Sequence, residues 1–142
     1  MARTKEVVQI DGRALEGGGQ LLRIALCLSA ITGKPIKITD IRGKRSGGGG
    51  LKPQHLACVK WLTLACNAEV VGAERKSRTL EFTPGKITGL CPAYRKVTLA
   101  DGTKVFETKF DIGSPGSIGL ALQAILPFIL FSPPRYVVPV GQ

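Results

Sequence analysis

Glu16-Gly17-Gly18-Gly19-Gln20-Leu21-Leu22-Arg23 places three glycines between a carboxylate and an apolar helix that carries a single arginine in its first turns. Residues of these types in this order can present backbone N–H groups, a helix N-terminus and one fixed charge of each sign to a phosphorylated ligand. The same pattern also makes a tight strand-to-helix turn with no ligand. Glu16 can hold a divalent metal, orient Arg23 by a salt bridge, or simply stabilise the helix dipole. Arg23, alone among apolar neighbours, must reach a polar site or snorkel to the surface.

A second cluster follows, Arg42-Gly43-Lys44-Arg45-Ser46-Gly47-Gly48-Gly49-Gly50-Leu51-Lys52-Pro53-Gln54-His55. Between Arg42 and Lys52 it holds four cations and no acid, with a glycine run that lets a phosphate backbone come close. Arg42 and Arg45 can each grip phosphate with two parallel N–H groups, which a lysine cannot do. Standing alone, the stretch also fits a solvated mobile loop. His55 is the chain's only histidine. Its type admits a nucleophile, a general acid or base, or a structural imidazole. A third motif, Asp111-Ile112-Gly113-Ser114-Pro115-Gly116-Ser117, opens an apolar helix whose one strongly polar side chain is Gln123, either a ligand contact or a satisfied core amide.

In this order and at this spacing the three motifs resemble the N-terminal part of RNA 3′-terminal phosphate cyclase, over a stretch from about Val8 to Val140. The stretch amounts to well under half of that family's usual length, and the glycine run is one residue longer than is usual there. The resemblance implies a phosphate- and RNA-positioning role for Glu16, Arg23, Arg42, Arg45, Gln54 and His55. It implies an ATP contact for Gln123 and a divalent metal, magnesium or manganese, with Glu16 as the candidate ligand. The implied reaction uses ATP to adenylylate an enzyme histidine, passes AMP to an RNA 3′-phosphate, and lets the adjacent 2′-oxygen displace it to leave a 2′,3′-cyclic phosphate. The histidine that becomes adenylylated lies near the C-terminus of a much longer chain, and no residue here matches it, so no catalytic residue is expected in these 142 residues.

Three function classes stay open at this point. One is the N-terminal portion of a catalytic cyclase, active only with a missing C-terminal segment. Another is a non-catalytic RNA-binding relative in RNA processing or ribosome assembly, a type expected to lack the Glu-Gly-Gly-Gly-Gln and Pro-Gln-His motifs. The third is a small stand-alone phosphate-binding or scaffold module, with a homo-oligomer as an alternative way of completing the fold.

Composition limits these classes further. The chain has 20 Lys and Arg against 10 Asp and Glu, formally +10, a field that favours polyanions such as RNA. Aromatic residues make up only 6%, which argues against a platform that stacks bases and for one that holds phosphates. Cys27, Cys58, Cys66 and Cys91 show no Cys-x-x-Cys spacing and read as buried free thiols of a reducing compartment. The first residues have no apolar stretch of a secretory leader, so an intracellular protein of nucleus or cytoplasm is expected. The uncharged stretch Ile112 to Pro134 is apolar only from Ile118 to Phe131, the length of a core helix rather than a membrane span.

The elements that must position the motifs alternate along the chain. Strands are predicted at Val7–Ile10, Pro35–Ile41, Ala68–Val71 and Thr79–Thr83, and helices at Gln20–Thr32, apolar almost all round, and Pro53–Asn67. Lys96–Leu99 and Thr103–Phe110 alternate around Ala100-Asp101-Gly102, a hairpin turn. A helix at Ser117–Phe131 and a strand at Tyr136–Val140 complete the pattern. The expectation is a mixed α/β (α+β) fold of repeated βαβαββ units, each a four-stranded sheet packed on two helices, as the family resemblance also implies. One complete unit would span about residues 5–85, and a partial second about 86–142. With 44% apolar residues the chain can bury one modest core.

Overall fold

A computed structural model describes residues 4–14, 18–87, 90–113 and 116–132. In chain order the elements are β1 (Val8–Asp11), α1 (Gly19–Thr32), β2 (Ile36–Thr39), α2 (Pro53–Cys66), β3 (Glu69–Val71), β4 (Leu80–Thr83), β5 (Arg95–Thr98), β6 (Lys104–Glu107) and α3 (Ile118–Phe131). The first six form the βαβαββ arrangement, and their strands make one mixed sheet in the order β1-β2-β4-β3. β5 and β6 pair only with each other.

Alternation decides which face of the sheet is buried. On the central strands β2 and β4, Ile36, Ile38, Leu80 and Phe82 point into the core, while Lys37 and Glu81 sit opposite one another on the other face and pair at 3.1 Å. α1 packs on β2 and β4, contributing Leu22 and Leu26, and α2 contributes Val59 and Leu62 to the same core. Each such side chain removed from water contributes on the order of 1.5–3 kcal/mol. Gly33, at φ +71°, stops α1 with its N–H on the carbonyl of Ser29.

α3 packs against both α1 and α2. Trp61 of α2 meets Tyr94 and Phe128 edge-on at ring separations of 6.0 and 5.7 Å, and its indole N–H donates to Thr108 Oγ1 at 2.8 Å. The Thr108 hydroxyl in turn donates to the carbonyl of Ala93 at 2.6 Å. This inward turn ends β6 at Glu107, so the strand predicted over Thr103–Phe110 is shorter than its alternating pattern. The hairpin turn at Ala100-Asp101-Gly102 forms as predicted, with Gly102 at φ +84°. The strand predicted at Tyr136–Val140 lies outside the described residues.

α1 is not buried all round. Ile24 and Leu28 are about half exposed, as are Leu122 and Leu126 of α3. The four cysteines are all free and buried, and Cys91 Sγ–H donates to the carbonyl of Ala65. No helix among the described residues is long and apolar enough to cross a membrane.

Candidate functional site

β1 and β2 are parallel, with Val8 level with Ile36 and Asp11 level with Thr39. The segments that follow them therefore leave from the same edge of the sheet, and α1 and α2 both begin there. Two helix N-termini and the basic glycine loop are thus gathered at the carboxyl ends of a parallel strand pair, where α/β sheets bind ligands.

The gathered residues line one cleft of about 1010 Å³. Gly18, Gly19 and Arg23 come from the start of α1, Arg42, Arg45 and Lys52 from the loop after β2, and Gln54 and His55 from the first turn of α2. Beyond Arg23 the wall turns apolar along Leu21, Ile24, Ala25 and Leu28. One end of the cleft suits an anion and the other suits an uncharged group.

Arg23 settles the choice between a polar site and the surface. It is only 7% exposed, and its Nε is one of two buried side-chain polar atoms among the described residues without a hydrogen-bond partner. A buried guanidinium N–H without a partner is costly, and the side chain that carries it lines the cleft, with Nη1 facing the space beside Gly19. Arg42, whose backbone sits at φ +53°, reaches the carbonyl of Gly50, and burial with Arg45 beside it lowers its proton affinity. No described carboxylate forms a salt bridge with Arg23, Arg42, Arg45 or Lys52. Such a set of cations repels itself and is relieved by a bound anion.

His55 is the most informative member. It is 2% exposed, and its Nδ1 accepts the backbone N–H of Lys52, the N-cap of α2, at 3.0 Å. That bond fixes the tautomer, because a nitrogen that accepts carries no proton, so the ring N–H is on Nε2. Nε2 faces Gly19, where a Cβ would fall 2.6 Å from it and 2.8 Å from Nη1 of Arg23. Only glycine at position 19 leaves these two donors side by side. Burial first, then Arg42, Arg23 and Lys52, pushes the imidazole down to about 4, so at neutral pH it is an uncharged donor. Cys58, near Arg23, is pushed up to about 11 by burial and is no nucleophile.

A search of known proteins gives the family. The family model described as RNA 3′-terminal phosphate cyclase matches residues 14–140. This chain belongs to the RNA 3′-terminal phosphate cyclase family. It is similar to proteins named RNA 3′-terminal phosphate cyclase from Pyrococcus furiosus, 44% identical over 126 residues, and from Caldivirga maquilingensis, 44% identical over 123. A relative of the same name from Salmonella enteritidis is 43% identical over 126 residues. These matches cover 89%, 87% and 89% of this chain but only 32%, 30% and 32% of the relatives, so the chain spans about a third of their length.

Of the residues that the cyclase family resemblance singled out, Arg23, Arg42, Arg45, Gln54 and His55 share the cleft. Glu16, Ser114 and Pro115 lie outside the described residues. Gln123 does not line the cleft, which α3 reaches only through Leu120, and it is exposed rather than a satisfied core amide. The turn Glu74-Arg75-Lys76-Ser77-Arg78 escaped the sequence reading although three of its five residues are cations. Its backbone is tied to the glycine loop, a proximity that no local pattern announces.

Proposed function

We propose that this chain carries the site that holds the 3′-phosphate end of RNA in an ATP-dependent RNA 3′-terminal phosphate cyclase, which converts that end to a 2′,3′-cyclic phosphate. The observation that carries it is the pair of donors that meet beside Gly19, Nη1 of Arg23 and the Nε2–H of His55, at the start of a helix and among arginines with which no described carboxylate forms a salt bridge. Together they offer donors in several directions to one tetrahedral dianion. The terminal phosphate sits at the cationic end, with the arginine forks and His55 Nε2–H on its oxygens and the N-terminus of α1 behind it. The Leu21–Leu28 wall then keeps water from the neighbouring sugar.

ATP and a divalent metal, magnesium or manganese, are the co-reactants implied. ATP supplies the adenylyl group that converts a phosphate oxygen into a good leaving group. The cationic wall suits phosphates of either substrate, whereas Gln123 stands outside it. Glu16, the candidate ligand for that metal, lies outside the described residues, among which no three His, Cys, Asp or Glu come together. His55 holds a proton at Nε2 and orients an oxygen. It does not act as a covalent carrier, because its Nδ1 lone pair is engaged and the ring is buried.

Fluorescence anisotropy with a short single-stranded RNA tests the assignment. RNA ending in 3′-phosphate should bind more tightly than the same RNA ending in 3′-hydroxyl, and Arg42→Ala with Arg45→Ala should abolish the difference. Equal binding of the two ends, or indifference to the double substitution, would overturn it.

A further inference from the structure

We propose that the RNA strand leading up to the terminal phosphate runs through a second cationic groove, between the glycine loop and the β3–β4 turn, where Arg75 and Lys76 hold its backbone phosphates. The groove's role rests on the terminal-phosphate site proposed above. It is a cavity of about 450 Å³, walled on one side by Gly47, Gly48 and Gly49 and on the other by Arg75 and Lys76. Lys52 lines this groove and the larger cleft alike, so a chain of phosphates can pass from one to the other along a single lysine.

The two walls are built as one piece. Lys76 N–H donates to the carbonyl of Leu51, Leu51 N–H to Ser77, and Ile41 N–H to Arg78, three backbone bonds of 2.8 to 3.0 Å. Their closeness demands glycine at position 50, which sits at φ +84° and where a Cβ would lie 2.3 Å from the Lys76 carbonyl oxygen. Lys76 is itself held at φ +66°, a conformation that costs a residue with a Cβ about 1–2 kcal/mol. The turn thus accepts local strain to keep a lysine at this place.

The chemistry of the walls selects the ligand. No described carboxylate forms a salt bridge with Arg75 or Lys76, and Glu74, the one acid of the turn, does not line the groove. Cβ atoms at Gly47 and Gly48 would meet nothing within 4 Å, so one wall is bare backbone open to a close phosphate. No aromatic residue is among the described residues that line the groove, so it offers no ring for a base to stack on. It therefore takes the sugar-phosphate backbone of a single strand, with little regard for sequence.

The test compares a hexanucleotide ending in 3′-phosphate with uridine 3′-monophosphate. Arg75→Ala with Lys76→Ala should leave the mononucleotide's affinity unchanged. For the hexanucleotide, losing two contacts should lower the slope of log affinity against log salt by about 1.4, or roughly 25-fold in affinity at 0.1 M salt if both proteins bind alike at 1 M. Arg75→Lys with Lys76→Arg should restore binding. Lys96→Ala with Lys104→Ala, which removes the same charge from the β5–β6 hairpin, should have a clearly smaller effect. An unchanged hexanucleotide slope, an equal loss for the mononucleotide, or an equal effect of the hairpin pair would overturn the groove. Failure of the wild type to prefer 3′-phosphate over 3′-hydroxyl would instead strike the terminal site, and the groove would stand if the slope still fell by that amount.

Discussion

Replacing His55 with glutamine should make the protein less sensitive to acid, by an amount that the histidine's surroundings set. In the folded chain the imidazole is held down to about 4, against an ordinary value of 6.5 when the chain unfolds. Well above pH 6.5 neither form is protonated and the residue has no pH-linked effect on stability. As pH falls below 6.5 the unfolded chain takes up a proton that the folded chain refuses until about pH 4, so stability falls across that window. With these two values the loss is about 2 kcal/mol at pH 5 and about 3 kcal/mol at pH 4. For 142 residues, 2 kcal/mol corresponds to a drop of about 7 °C in Tm. Glutamine at the third helical position keeps an acceptor for the Lys52 N–H and has nothing to titrate. Thermal melts followed by circular dichroism at pH 7.5 and pH 5, on both proteins, isolate the effect, since carboxylate titration is common to the two. The wild type should lose about 7 °C more than His55→Gln over this interval. Equal losses, or an imidazole titrating near 6.5 by NMR in the folded chain, would refute the burial among cations that holds the ring uncharged.

Gly19→Ala should weaken binding of 3′-phosphate RNA by roughly tenfold or more, because its methyl group displaces two donors whose bonds to a charged ligand are each worth about 1.5–3 kcal/mol. The Tm should move by only a few degrees, and unchanged binding would show that the space before His55 is not the phosphate's. Thr108→Val should cost about 1–3 kcal/mol by stranding the Trp61 indole N–H. Urea unfolding measures it, and an undiminished midpoint would mean that the bond contributes nothing. Incubated with labelled ATP and magnesium or manganese, the 142-residue chain should acquire no denaturation-resistant label. A label that disappears on His55→Ala would make the lone histidine a carrier after all.

The elements around the cleft were legible because their signals are local. Gly33 stops α1, Pro53 starts α2 and Gly102 turns the hairpin, each through a backbone preference that needs no knowledge of the fold. The gathering of Arg23 with Arg42, Arg45 and His55 was legible only as a family resemblance, since the spacing in sequence does not say that β1 and β2 run parallel. Which nitrogen of His55 carries the proton was not legible at all, since it is set by the bond from Lys52 N–H that forms only when α2 starts. Exposure of Ile24 and Leu28 could not be foreseen, because an apolar residue reads the same whether or not a neighbour covers it. The end of β6 at Glu107 was hidden for a related reason: an alternating pattern continues past it, and it is bonds to Ala93 and to Trp61, 47 positions earlier, that draw Thr108 inward. Arg75 and Lys76 looked like an ordinary solvated turn, and what distinguishes that turn is three backbone bonds from Lys76, Ser77 and Arg78 to Leu51 and Ile41, 25 to 37 residues away.

The four buried thiols give this protein a built-in clock. Cys58 and Cys66 lie in α2, Cys27 in α1 and Cys91 ahead of β5, and burial raises all four above the ordinary thiol range. An alkylating reagent in excess can therefore mark a molecule only after it opens, and each mark adds a fixed mass. If the chain opens all at once and alkylation outpaces reclosing, intact-mass spectra taken over time will show two populations, unmarked and fourfold marked, and the decay of the first is the unfolding rate itself. Cys27 packs next to Phe128 of α3. A singly marked species at Cys27 would thus time the lifting of that one helix, separately from the collapse of the rest.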